Sequence, residues 1–301
     1  NVVESRLDTI NILRTRTDFL HDRTYGRLWP DLSVDASYGR TCALMVSVTL
    51  QLILSATAFV LACGAFANSL DGGFVIDDGS AVRTNLDLRP EVPLRQLLAH
   101  DYWGRPIEAA HSVKSYRPLA VLSFRCNFAL HGLAVRGYHV ANVVLHAICS
   151  ALVVPLTLSL SESDNTAIAA AVASLSFAVH PVHCEAVASI VGRAEVLCCA
   201  FYLLCLLLYA RSASARRPLA AWALLAAAAA SAVLATASKE TGITALGTAV
   251  ALERLAMRWD DSPPRRSVHG WLGRLLCCLG VTGGLWVGSR HVRGAAAAIL
   301  G

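Results

Sequence analysis

Charge is scarce in this sequence. Only 16% of its 301 residues are charged, against about 25% in soluble domains, and the net charge is +5. The arginines lie in loops between apolar runs and form no basic stripe with interleaved aromatic residues, which excludes the usual footprint of a nucleic-acid partner. Cysteines outside apolar runs are also few, since only Cys126 and Cys184 lie near polar segments, and no disulfide framework is expected.

Apolar residues, by contrast, make up 55% of the chain, and the mean hydropathy is +0.52. They are gathered into runs, several of which reach the roughly 20 residues that a helix needs to cross a bilayer. The sequence therefore predicts an all-α, polytopic transmembrane helical bundle of about seven spans. The spans are expected at residues 42–66, 139–158, 167–179, 186–210, 220–237, 243–257 and 271–287.

The chain is expected to have two parts, a polar segment at 1–41 and a transmembrane domain at 42–301. A long polar loop at 67–137 separates the first two spans. Within it, Leu94, Leu97 and Leu98 have the spacing of an amphipathic helix that faces the bundle, and a second short helix is predicted at 118–130 with proline in its first turn.

The side of the membrane on which each loop lies follows from the arginines. Short loops rich in Lys and Arg stay in the cytosol, so the loops at 211–218 and 258–270 are assigned to that side. Counting back through the spans places 67–137 and 180–185 in the lumen and 1–41 in the cytosol.

With this topology, the ionisable side chains that could take part in catalysis or binding lie on one face, at the lumenal ends of the spans and in the long loop. A channel or an ion-coupled transporter is expected to carry such groups near mid-span. The pattern therefore favours a site at the boundary of membrane and lumen. The candidates are Asp77, Asp78, His100, Asp101, Arg117, His180, His183, Glu185, Arg193, Glu195, Lys239 and Glu240.

The acidic and imidazole clusters each allow two interpretations. Asp77 and Asp78 could activate a hydroxyl or hold a divalent metal, or they could form a solvated turn before Gly79. The segment from His180 through His183 to Glu185 could bind a metal, or it could supply polar caps at helix ends.

The cationic residues also allow two interpretations each. Arg117 precedes a helix start, which suits a phosphate, but it could instead pair with a loop carboxylate at position 77, 87 or 101. Arg193 is expected either to pair with Glu195 or Glu185 or to bind an anionic head group. Lys239 and Glu240 could satisfy each other in the tight turn of a helical hairpin.

Several longer strings are similar to one family. They resemble the first lumenal loop and following spans of the transmembrane and tetratricopeptide-repeat O-mannosyltransferases that target cadherins, in order and in approximate spacing over residues 70–250. The matching blocks are Asp77-Asp78, HDYWGRP at 100–106, KSYRPL at 114–119, GYHVANVVLH at 137–146, FAVHPVHCEAV at 177–187, VGRAEVLC at 191–198 and KETGIT at 239–244.

The resemblance implies a GT-C-type glycosyltransferase of the endoplasmic reticulum membrane. Its donor would be dolichyl-phosphate mannose, and its acceptor a Ser or Thr hydroxyl on a cadherin-type domain. An acidic residue of the first lumenal loop is the base in GT-C enzymes, which implies Asp77 or Asp78 here. The family's later spans and repeats have no counterpart in this sequence, so the chain is expected to be the N-terminal membrane part only.

The remaining candidates take roles around that base. Arg117, Arg193 and Lys239 are expected to stabilise the donor phosphate. The supporting polar residues are His100, Asp101, His180, His183, Glu185, Glu195 and Glu240. No resident cofactor or metal ligand set is assigned, and the need for a divalent metal stays open. A multispan transporter and an inactive membrane scaffold remain the alternatives.

Overall fold

A computed structural model describes residues 36–160, 165–259 and Gly280, and these residues form helices and turns without a strand. The predicted all-α class is confirmed. The helices are α1 (Ala36–Ala65), α2 (Leu94–Leu97), α3 (Pro118–His131), α4 (Val135–Leu160), α5 (Thr166–Val179), α6 (Cys184–Ala188), α7 (Arg193–Ser214), α8 (Pro218–Ser238) and α9 (Ala245–Trp259). Short 3-10 helices lie at Ala67–Asp71, Leu86–Leu88, Pro181–His183 and Glu240–Thr244, and a π turn at Gly79–Arg83.

The chain divides into two compact units within α1, Asn1–Leu50 and Gln51–Gly301. The described part of the first unit is helical throughout. The second unit contains all the other helices and every site residue discussed below. The predicted segment 1–41 lies almost wholly outside the described residues.

Four helices in the described residues are long and apolar enough to cross a membrane, namely Ser47–Ala65 within α1, α4, α7 and α8. A fifth span results if α5 and the bent continuation Pro181–Ala188 are taken together, with a 43° bend between them. The expected span at 243–257 forms α9, which has only 15 residues and carries Glu253 and Arg254. The expected span at 271–287 lies outside the described residues, apart from Gly280.

One span starts later than the sequence predicted. The expected helix at 186–210 is interrupted, because α6 ends at Ala188 and α7 begins at Arg193. Gly192 makes this bend possible: a Cβ there would lie 2.2 Å from the carbonyl oxygen of Ala186. The short connection places the first turn of α7 beside the loop that follows α1.

Helices α7, α8 and α9 share a core that is rich in small residues. Ala228 and Ala232 of α8 are buried with Ala245 and Ala249 of α9 and with larger side chains of α7. Small residues let transmembrane helices approach closely, because packing rather than water exclusion holds such helices together. We call this region the α7–α9 bundle.

The long loop is a folded layer rather than an extended segment. Residues 67–134, here called the cap, bury a core that includes Val82, Leu88, Tyr102 and Phe124 and that also contacts the starts of α4 and α7. The predicted helix after Pro118 is confirmed as α3. Of the three leucines expected to face the bundle, only Leu97 is buried; α2 is a single turn, so Leu94 and Leu98 remain exposed.

Candidate active site

An open cavity of about 500 Å³ lies where the cap meets helices α4 to α7. Its charged lining residues are Asp77 and Arg117 from the cap and Glu185 and Glu195 from α6 and α7. Its rings are Tyr102, Trp103, His146, Phe177 and His183. Carboxylates, a cation and aromatic faces therefore share one space at the cap end of the helices.

The two adjacent aspartates have different environments. Asp78 is fully buried: one carboxylate oxygen accepts from the amide of Val75 and the other from the amide of Val191, both at 3.0 Å. Asp77 is exposed and lines the cavity, and no described residue donates a hydrogen bond to its carboxylate. Asp78 therefore ties the cap to the start of α7, whereas Asp77 lines the cavity.

The residue before Asp77 has a strained backbone. Ile76 has φ 29°, a conformation that β-branched residues rarely adopt, and its side chain is 96% exposed. The strain is held by the turn around it, since the Asp78 amide donates to the carbonyl of Val75 at 2.8 Å while Val75 donates to the Asp78 carboxylate. Strain of this kind persists where surrounding contacts impose it, and it is frequent at functional sites.

Arg117 caps the start of α3 and faces a carboxylate from a distant part of the chain. Its Nε and terminal nitrogen donate to the two oxygens of Glu240 at 3.0–3.2 Å, and its guanidinium lies 5.1 Å from the ring centre of Tyr102. The expected partners at positions 77, 87 and 101 are therefore wrong. The pairing joins the cap to the turn between α8 and α9.

Lys239 does not pair with its neighbour Glu240 as the sequence suggested. Its ammonium group donates to the carboxylate of Glu195 in the first turn of α7. Partial burial, and after it the nearby charge of Arg117, lower the pKa of Lys239 from its ordinary value, against the opposite effect of Glu240 and Glu185. Arg117 and Lys239 therefore belong to neighbouring ion pairs, since Arg117 pairs with Glu240, the residue after Lys239.

Arg193 occupies a position that the sequence did not indicate. Its side chain is 2% exposed and does not line the cavity. It donates to the side-chain oxygens of Asn127 at 2.9 Å and Asn142, to the carbonyl of Tyr138 at 2.9 Å and to the hydroxyl of Ser123. The expected pairing with Glu195 or Glu185 is wrong, and the location does not bring Arg193 to a donor phosphate. It connects α3, α4 and α7.

His100 and Asp101 shape the cap without reaching the cavity. The Nδ1 atom of His100 lies 2.8 Å from the buried carboxylate of Asp87. Asp101 accepts hydrogen bonds from the amides of Trp103 and Arg105 and from the hydroxyl of Ser112. Both side chains thus stabilise the turn that carries Tyr102 and Trp103, so their support for the site is indirect.

The two histidines after α5 lie in different environments. The ring of His183 lies in the cavity, 4.4 Å from the ring centre of Phe177 and 4.9 Å from that of His146. The Nδ1 atom of His180 accepts from the amide of Val182, and its side chain is exposed and outside the lining. Among the described residues, no three His, Cys, Asp or Glu side chains are placed to hold a metal ion.

Four cavity rings were not singled out from the sequence: Tyr102, Trp103, His146 and Phe177. Each lies inside one of the blocks at 100–106, 137–146 and 177–187, which was the available signal. Tyr102 is also a fixed point of the site. Its hydroxyl donates to the carbonyl of Val191 at 2.9 Å, and burial raises its pKa.

Comparison with curated proteins gives several relatives. The chain is 40% identical over 203 residues to protein O-mannosyl-transferase TMTC3 of Homo sapiens, covering 67% of this chain and 21% of the relative. It is 43% identical over 192 residues to Tmtc1 of Drosophila melanogaster, covering 64% and 21%, and 48% identical over 151 residues to TMTC1 of Mus musculus, covering 50% and 16%.

The chain is a homologue of the TMTC protein O-mannosyl-transferases. The resemblance predicted from its motifs is confirmed. The chain spans about a fifth of the length of these curated relatives. No family model matches it, and no solved structure does.

Proposed function

We propose that this chain carries the catalytic end of a membrane mannosyltransferase. It moves mannose from dolichyl-phosphate mannose to Ser or Thr hydroxyls of secretory-pathway proteins, with cadherin-type domains as acceptors. The observation that carries the proposal is that the carboxylate of Asp77, which has no hydrogen-bond donor among the described residues, shares a cavity with the guanidinium of Arg117. The relatives' printed names, protein O-mannosyl-transferases, supply the reaction class.

The reaction is a single displacement. The acceptor hydroxyl gives its proton to Asp77 while its oxygen forms a bond to the anomeric carbon of mannose. The bond from that carbon to the phosphate oxygen breaks, and the electron pair leaves with dolichyl phosphate. Because attack and departure occur on opposite faces, the configuration at the anomeric carbon inverts.

Charge develops on the leaving group. The donor is a phosphodiester with one negative charge, and the product is a phosphate monoester whose second pKa is about 6, so it carries nearly two charges at neutral pH. Arg117 lines the cavity and supplies one positive charge there, and Lys239 supplies a second through its ion pair with the lining residue Glu195. Cations fixed where negative charge grows favour the transition state over the bound donor.

We place the cavity on the lumenal side of the endoplasmic reticulum membrane. At the end of α7 opposite the cavity, Arg211 donates to the hydroxyl of Ser159 at the end of α4. Arg216 and Arg217 follow in the same short loop, and such loops remain cytosolic. The cap and the cavity then face the lumen, where secretory proteins are found.

The structure does not favour the transporter alternative. In the described residues, the middle of α4, α5, α7 and α8 contains no Asp, Glu, Lys or Arg. Ion-coupled transporters place such groups near mid-span. The charged residues that line the cavity in the described part of the chain lie instead in the cap and at helix starts.

The decisive experiment replaces Asp77 by Asn in the full-length protein and measures mannose transfer from dolichyl-phosphate mannose to a Ser/Thr acceptor. Loss of a positioned base is expected to lower the rate about 100- to 10,000-fold. Asp71→Asn removes the same charge from an exposed cap residue outside the cavity and is expected to leave transfer unchanged. Normal transfer by Asp77→Asn would refute this assignment of the base, and no transfer by the unsubstituted protein would support the inactive scaffold.

A further inference from the structure

Two ion pairs each have one member in the cavity lining, Arg117 with Glu240 and Glu195 with Lys239, and they share the same asymmetry. In each pair the cation is mostly buried, since the side chains of Arg117 and Lys239 are both 20% exposed. The carboxylates are about half exposed, with 49% for Glu240 and 47% for Glu195. A carboxylate can therefore swing into water while its cation stays in place.

Arg117 has a second contact that does not depend on its carboxylate partner. Its guanidinium lies 5.1 Å from the ring centre of Tyr102, and the Tyr102 hydroxyl is held by the carbonyl of Val191. Attraction between a guanidinium and an aromatic face keeps the cation in position. If Glu240 leaves, Arg117 remains directed by Tyr102.

Arg117 and Lys239 lie on neighbouring ion pairs, because Glu240, the partner of Arg117, directly follows Lys239 in the chain. After burial, the charge of Arg117 also contributes to lowering the pKa of Lys239. Without a ligand, Glu240 and Glu195 neutralise them. A phosphate placed near both cations would do the same and would make the carboxylates unnecessary.

We propose that Glu240 and Glu195 are placeholders that hold Arg117 and Lys239 in their binding positions until the donor phosphate displaces the carboxylates. This inference rests on the proposed function, because it concerns the same phosphate site. It assigns the two glutamates a positioning role and predicts that each competes with the phosphate. Because the carboxylate of each pair is about half exposed, water screens the pair, and its exchange for a phosphate costs little free energy.

Substituting a competing carboxylate should change the affinity for phosphate in the opposite direction from substituting a residue that binds the phosphate. Removing a binding residue weakens the complex with phosphate, whereas removing a competitor strengthens it. The test measures binding of a fluorescent short-chain isoprenyl phosphate to the full-length protein in nanodiscs. Glu240→Gln is expected to bind the probe about two- to fivefold more tightly, the range that corresponds to one exposed ion pair. Arg117→Gln is expected to bind it more weakly by at least the same factor.

Glu91→Gln is the matched control. It removes one negative charge from an exposed cap residue that does not line the cavity, so probe binding is expected to be unchanged. If tighter binding also occurs in Glu91→Gln, the effect is one of net charge and the placeholder role is wrong. The double variant Arg117→Gln/Glu240→Gln is expected to bind like Arg117→Gln alone, because the competitor acts only through its cation.

The binding test distinguishes failure of the placeholder role from failure of the proposed donor site. If Glu240→Gln binds the probe equally or more weakly while Arg117→Gln loses binding, the phosphate site stands and only the placeholder role is refuted. If Arg117→Gln binds the probe as tightly as the unsubstituted protein, the phosphate does not bind at Arg117, and the proposed donor site is itself wrong. Tighter binding by Glu240→Gln together with loss in Arg117→Gln supports both.

Discussion

The cap and the α7–α9 bundle are held together by different means. In the cap, buried or half-buried charged side chains satisfy irregular backbone: Asp101 accepts from two backbone amides and from the hydroxyl of Ser112, and Arg125 donates to the carbonyls of Asp87 and Val92 at 2.8 Å. In the α7–α9 bundle the backbone satisfies itself within helices, and alanines such as Ala228 and Ala245 fill the contacts.

This difference determines how substitutions destabilise each region. A cap substitution that removes one polar atom leaves a buried partner without a hydrogen bond, which costs the full desolvation of that partner. A bundle substitution acts through volume, because close helix approach leaves no space for added atoms. The candidate site lies where the cap meets α4 to α7, so the cap and α7, the first helix of the bundle, both position its residues.

The largest effect is expected at Arg193, where the cap meets α7. Arg193→Met leaves the oxygens of Asn127, Asn142 and Tyr138 without their donor in a buried site. With about 1–3 kcal/mol for each unsatisfied group, we expect a destabilisation of at least about 3 kcal/mol, measured as a large fall in the thermal unfolding temperature in detergent.

Arg211→Met is the control for this prediction. Arg211 lies at the other end of α7, is exposed and donates to the hydroxyl of Ser159, so its loss is expected to cost less than about 1 kcal/mol. Equal effects of the two substitutions would contradict the structural role. If Arg193→Lys kept full stability and lost only donor binding, the phosphate role expected from the sequence would be restored.

The next largest effect lies in the bundle, at the turn after α8. A Cβ at Gly242 would lie 2.2 Å from the backbone carbon of Ala235, and backbone cannot move aside cheaply. Gly242→Ala is expected to destabilise the protein by about 3 kcal/mol, at the upper end of the cost of overpacking. Gly247 of α9 meets nothing within 4 Å, so Gly247→Ala is expected to stabilise it by up to about 1 kcal/mol. Similar unfolding temperatures for the two variants would contradict this packing.

The bundle could be predicted from the sequence because its rules are periodic and compositional. Apolar runs gave α4, α5 and α8 to within a few residues, and the division at Lys239 gave the turn before α9. The break before α7 was missed because it depends on the approach of Gly192 to the backbone of Ala186, a contact that no local pattern encodes.

Five of the twelve candidate residues line the cavity, but their pairings were not predicted; the five are Asp77, Arg117, His183, Glu185 and Glu195. The aspartate pair and Arg117 were located from motifs, yet Arg117 joins Glu240 across 123 residues of sequence. Arg193 resembled a ligand-binding cation because its burial depends on acceptors from α3 and α4. Long-range partners of this kind follow from the tertiary arrangement and not from neighbouring residues.

A smaller effect separates the two aspartates within the cap. Asp78→Asn retains one acceptor oxygen but turns an amide group toward either Val75 or Val191, so one backbone N–H loses its partner. We expect a destabilisation of about 1–2 kcal/mol and a moderate fall in transfer rate. Asp77→Asn should show the reverse pattern, with an unchanged unfolding temperature and little transfer. If Asp78→Asn abolished transfer without any loss of stability, Asp78 would be the base.

The smallest effect concerns Lys239, which precedes Glu240 in the turn between α8 and α9. Because burial and Arg117 lower its pKa, Lys239 loses its proton at a lower pH than an ordinary lysine. As the pH rises through that value, Lys239 loses its attraction for the donor phosphate. The KM for the donor should therefore increase by up to about fivefold between pH 7.5 and a pH of roughly 10, which is near the range where lysines titrate. Lys239→Arg keeps its charge over this range, and its donor KM should stay constant. An identical rise in both proteins would show that the pH dependence arises elsewhere, and that Lys239 does not hold the phosphate.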